Sequence, residues 1–166
     1  MELEQRVADL ERRLAALENA QRSAPCLVEG DFWALDGLKE QLAELGAADG
    51  GVLFTGAVRL PTGEYYEWQH GTAAEGLLDG DWAPDAEVFA ALGHPVRLRL
   101  LREILGGRRT AAELAESDEV GTTGQIYHHL RQLTGAGWLH TTGRGRYEVP
   151  AGRVVPLLVA LSVARP

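Results

Sequence analysis

Residues 110–138, TAAELAESDEVGTTGQIYHHLRQLTGAGW, constrain this chain more than any other stretch. They open a helix twice with the same device. In Thr110-Ala-Ala-Glu113 and again in Thr122-Thr-Gly-Gln125, a threonine hydroxyl can accept from the backbone three residues on while a Glu or Gln reaches back. The first helix is expected to run to about Glu116, and the stretch between the two boxes is a turn. In the second helix Ile126, Leu130 and Leu133 recur at spacings of 4 and 3, so they face a core. That turns Thr123, Gln125, Tyr127 and His128 outward or sideways. Gly135 and Gly137 end the helix.

The outward residues are of the kinds that read base edges. Gln125 can pair bidentately with adenine, Thr123, Tyr127 and His128 can reach bases or phosphates, and Arg131 suits a backbone oxygen. The helix start at Thr122 adds backbone N–H groups and a positive dipole end for a phosphate. Beyond the glycines, WLHTT, GRGR and YEVP read as a hairpin whose tip offers Arg144 and Arg146 to a phosphate or a minor groove. The last helix, RVVPLLVALSVAR, is apolar on nearly every face. A second chain is therefore expected to cover it, through Val155, Leu158 and Leu161.

Upstream, from Pro84, two scaffold helices are expected. PDAEVFAALG carries Val88, Phe89 and Leu92, and HPVRLRLLREILGG carries Leu98, Leu101, Ile104 and Leu105, with Pro95 in a first turn and Gly106-Gly107 as the stop. His94, just before that proline, reads as a cap or packing residue.

The front of the chain is of a different kind. Leu3, Val7, Leu10, Leu14 and Leu17 alternate at 4 and 3, the seam of a short parallel coiled coil over residues 1–22. With Val7 and Leu14 at a, Arg6 faces Glu11 and Arg13 faces Glu18 of a partner, so the heptads predict a homodimer. Residues 23–30, SAPCLVEG, form a linker.

Residues 31–83 then read as a small α/β segment. Asp36 is expected to cap a helix that Gly46 closes, and two β-rich runs flank a Pro-Thr-Gly-Glu turn, with Phe54, Val58 and Leu60 on one face. Thr72-Ala-Ala-Glu75 has the capping-box form for a short helix ending at Gly80. Aromatics concentrate here, and Trp33, Phe54, Tyr66, Trp68 and His70 outline a candidate effector pocket. The other reading is that so small a layer needs large side chains to make a core and must pack on a neighbour or partner.

Charge divides along the same line. Residues 1–93 hold 6 Lys/Arg and 18 Asp/Glu, while residues 94–166 hold 10 and 6, within a net charge of −8. An acidic accessory region joined to a basic nucleic-acid module has this form. A single cysteine, Cys26, excludes an intramolecular disulfide, no signal peptide is read at the start, and the most apolar run, Val154 to Val163, is about half a membrane span. A cytoplasmic location follows as the expectation.

Several of these stretches together resemble the ArsR-type winged helix-turn-helix repressors of bacteria. LGHPVRLRLLREIL is similar to that family's LxHPxRLxIL helix, TAAELAE to its first reader helix, GQIYHHLRQLTGAGWL to its recognition helix and exit, and GRGRYEV to its wing. The resemblance covers about residues 86–163. It implies a mainly α fold with small β-hairpins, an α+β winged helix-turn-helix over residues 84–166, in which Thr123, Gln125, Tyr127 and His128 read DNA with Arg144 and Arg146 in the wing. It also implies repression as the default role. The family's metal ligands, a Cys-x-Cys pair or carboxylates and histidines on the closing helix, have no counterpart in TAAELAE or RVVPLLVALSVAR, so no metal or other cofactor is expected.

The resulting expectation is a dimeric regulator on a pseudo-palindromic duplex, with a small-molecule or protein effector, no membrane partner and no enzymatic activity. Ser-His-Asp order, a P-loop and HExxH are all missing from the sequence. The alternative is an interaction module that uses the same fold to bind protein.

Overall fold

A computed structural model describes residues 6–7, 32–116, 121–143 and 145–165. The protein is mixed α+β, and it divides into two compact units, residues 1–39 and 40–166. In the first, Val7 is helical and exposed, while Leu3, Leu10, Leu14, Leu17 and the linker 23–30 lie outside the described residues. Helix α1 runs Trp33–Leu45. It starts earlier than expected, so Asp36 is not its cap. Asp36 sits in the first turn, where its N–H bonds the Phe32 carbonyl and its carboxylate meets Lys39 at 3.4 Å.

In the second unit, β1 (Gly51–Arg59) pairs antiparallel with β2 (Tyr65–Ala73) around the expected turn. The β2 ladder extends through Thr72, which faces Val52, and this displaces the expected capping box. Helix α2 (Ala74–Leu78) begins after Ala73 without a side-chain cap, and the Thr72 hydroxyl pairs with His70 Nε2 at 3.0 Å instead. Two scaffold helices follow, α3 (Ala83–Leu92) and α4 (Pro95–Leu105). His94 caps α4 as expected, its Nδ1 accepting from the Val96 N–H at 3.2 Å. Next come α5 (Ala111–Ala115), α6 (Thr123–Gly135), a short β3–β4 ladder (His140–Thr141 with Tyr147–Glu148) and α7 (Ala151–Val163). No helix among the described residues is long and apolar enough to cross a membrane.

One core joins these elements. Leu100, Leu101 and Ile104 of α4, Leu114 of α5, Ile126, Leu130 and Leu133 of α6, and Val154 and Leu157 of α7 are all buried in it. Leu60 extends the cluster into the hairpin, with Val58 and Tyr66 packed against it.

The hairpin also explains α7, and here the sequence expectation is corrected. Val155 is 1% exposed because its own chain covers it: β1 lies on α7 at Gly56, so close that a Cβ there would sit 2.6 Å from Val155 Cγ1. Trp68 of β2 lies on Gly152 in the same way. Leu158 and Leu161 pack half-buried against the core and flank a groove that α7 shares with Leu98 and Leu105 of α4. A helix apolar on all sides thus needs no second chain for Val155. The division expected at residues 83/84 falls inside this unit.

Candidate nucleic-acid interface

The helix-turn-helix stretch from residue 109 to 135 folds on its local signals among the described residues. At α5 the Thr110 hydroxyl accepts from the Glu113 N–H at 3.2 Å, and Glu113 Oε2 accepts from the N–H groups of Thr110 (2.8 Å) and Arg109 (2.9 Å). These bonds, the backbone one from Thr110 foremost, hold the Glu113 carboxyl below the usual range. At α6 the Thr122 hydroxyl accepts from the Gln125 N–H at 3.5 Å, and Gln125 Oε1 accepts from the Thr122 N–H at 2.8 Å and from its hydroxyl at 3.1 Å. Gly121 is required in front of this box: its φ is +90°, and a Cβ would stand 2.6 Å from Gln125 Oε1.

That arrangement corrects one expected role. A bidentate pair with adenine needs both the amide oxygen and the amide nitrogen of Gln125, and the oxygen is committed to the cap. Thr122 spends its hydroxyl likewise. The remaining expected readers stand clear: Thr123, Tyr127 (48% exposed), His128 and Arg131 are exposed, while Ile126, Leu130 and Leu133 on the other side of α6 are fully buried.

Two side chains that the sequence reading left without a role hold α6 in place. Arg97 of α4 donates to the Ala90 and Ala91 carbonyls at the end of α3 (2.7 and 2.5 Å) and to Gln132 Oε1 of α6 at 2.6 Å. Trp138, just past α6, donates its indole N–H to the Val88 carbonyl at 2.9 Å. The bonds to Gln132 and to the Val88 carbonyl cross long stretches of sequence, so no local pattern announces them. His129 lies on the inner flank of α6 with its ring 4.7 Å from His94 and 5.6 Å from His128. Burial first, then the His94, Arg97 and His128 charges, hold its imidazole below the ordinary histidine range.

The short ladder is clipped to this frame. The Tyr147 N–H bonds the Arg109 carbonyl at 2.6 Å, and Thr110 bridges Arg146. The Arg109 guanidinium joins Glu148 at 3.0 Å and also pairs with Glu64 of the β1–β2 turn. Thr62 donates a hydrogen bond to Glu64, and together with Arg109 it holds that carboxyl below the usual range, so Glu64 is a structural acid. Arg146 is exposed near the tip, and Arg144 lies outside the described residues.

Of the residues expected to outline an effector pocket, the four in the second unit have different neighbours. Tyr66 packs on the core, Trp68 lies on Gly152, His70 sits 5.7 Å from the Phe54 ring, and Trp33 is 66% exposed in the first unit. Phe54 lines a groove formed with α2, α3 and α7. Among the described residues no group of three or more His, Cys, Asp or Glu is placed to hold a metal ion. No family model, curated protein or solved structure matches the chain.

Proposed function

We propose that the chain is a homodimeric, sequence-specific DNA-binding regulator of transcription. On this reading it is a cytoplasmic repressor without a metal cofactor, and α4–α7 with the β3–β4 ladder act as a winged helix-turn-helix. The observation that carries the reading is the division of α6. Ile126, Leu130 and Leu133 are fully buried, and the opposite side presents Thr123, Tyr127, His128 and Arg131; Arg146, in the turn of the β3–β4 ladder, is exposed as well. An exposed polar helix face that carries a cation, Arg131, suits a major groove and its phosphates. Two copies, joined by the N-terminal heptads, would meet two half-sites one helical turn apart.

The test uses the full chain. Fragments of genomic DNA that it protects are recovered, and its affinity for them is compared with that for shuffled duplexes at two salt concentrations. The expected preference is on the order of 10³-fold or more. Arg146→Ala should weaken both duplexes alike and reduce the salt slope by about one. Equal affinity for recovered and shuffled duplexes sinks the proposal.

A further inference from the structure

The second unit carries a groove of about 730 Å³, a volume typical of sites for drug-sized ligands. Its walls are almost wholly apolar: Phe54 of β1, Leu77 of α2, Trp82 and Phe89 at α3, Trp138, and Val163 at the end of α7. It is distinct from the outer face of α6, and none of the residues proposed to touch DNA lines it.

Three features make it more than an uncovered apolar face. First, both tryptophans are fixed by their polar ends, Trp82 Nε1 to the Leu77 carbonyl at 2.7 Å and Trp138 Nε1 to the Val88 carbonyl at 2.9 Å, so that the exposed Trp82 ring and the buried Trp138 ring, over which Arg153 lies, are set as walls of the groove. Rings held this way lose little freedom when something stacks on them. Second, Phe89 and Trp82 are 65% and 62% exposed, a large aromatic area left in water at the mouth.

Third, the groove carries one cation. Arg153 of α7 is half-buried, its guanidinium carbon 4.9 Å from the Trp138 ring centroid, and among the described residues it meets no carboxylate. A planar guanidinium held over a ring keeps its edge N–H groups free for a bidentate carboxylate. The groove's acid, Asp85, lies in the first turn of α3, where the helix dipole favours it.

We infer that this groove binds a small amphiphilic acid, a ring-bearing apolar body with one carboxylate, the body lying among Trp82, Phe89 and Trp138 and the carboxylate on Arg153. The site stands whether or not the chain binds DNA.

The experiment is a fluorescence titration of the full chain with 1-pyrenebutyrate and with its neutral counterpart, 1-pyrenebutanol. Saturable binding of one acid per chain is expected, tighter than the alcohol. Arg153→Gln should weaken the acid about tenfold or more and leave the alcohol within about twofold, since a hydrogen bond to a charged group is at stake. Arg153→Lys should fall between wild type and Arg153→Gln, and Phe89→Ala should weaken both probes. If Arg153→Gln fails to fold, Arg153→Lys and the comparison of acid with alcohol on the native chain decide the matter. Absence of saturable binding, or equal affinity for acid and alcohol, overturns the inference.

Discussion

Gln125 shows how a residue suited to recognition by type can be used up by its position. Its amide oxygen closes the cap of α6, so its removal is felt first as lost stability. Gln125→Ala should cost about 1 kcal/mol, a fall in Tm of about 2–4 °C, with little change in preference among duplexes. His128→Ala, on the exposed side of the same helix, should do the reverse. Thermal melts beside competition binding separate the two.

His129 supplies a second residue-scale outcome. Its imidazole is held below the ordinary range, so the folded state favours the neutral ring while the unfolded chain titrates near pH 6.5. Its contribution to stability is therefore complete above about pH 6.5 and is lost as pH falls through the lowered folded value. Between pH 7 and 5, Tm should decline with falling pH, and His129→Gln should flatten that decline. A parallel curve for the variant would assign the slope to other groups.

At the scale of elements, the contact that matters most is that of the β1–β2 hairpin with α7. Gly56 is in that strand because Val155 occupies the space a side chain would need. Gly56→Ala should cost roughly 1–3 kcal/mol by overpacking, and Val155→Ala in the same chain should recover part of it, which a double-mutant cycle in denaturant measures.

This contact also marks where the sequence stopped being readable. The threonine boxes at Thr110 and Thr122, the glycine stops and the stripe Ile126, Leu130 and Leu133 are local patterns, and they were legible because each is satisfied within a turn or two. The box at Thr72 had the same letters and failed, since pairing with Val52 offered its backbone a partner further along the chain. Nothing near Val155 in sequence announces Gly56, and nothing near Trp138 announces Val88. The groove was illegible for the same reason: a strand, three helices and the residue past α6 each supply a wall.

For the whole molecule, the acidic and basic halves of the sequence do not correspond to two bodies. The hairpin belongs to the half with the excess of acid, yet it shares one core and the Arg109 pairing with the basic half. Net charge of the intact second unit, and not of residues 94–166 alone, is what a duplex would meet. Chains begun at residue 84 should accordingly be poorly soluble and melt without a cooperative transition, whereas chains begun at residue 32 should melt cooperatively. Comparing their calorimetric traces checks this.

The seating of Val155 under Gly56 has a consequence for how such a chain can change over time. A helical segment whose closing helix is roofed by a preceding hairpin cannot be lifted out and joined to another front end by a simple fusion at its apparent boundary, because the graft would carry an unroofed helix with it. Recombination that keeps the protein working must cut ahead of the hairpin. The hairpin and residues 84–163 should therefore travel as one heritable piece, together with the end of α1, whose Leu42 lies on Gly51.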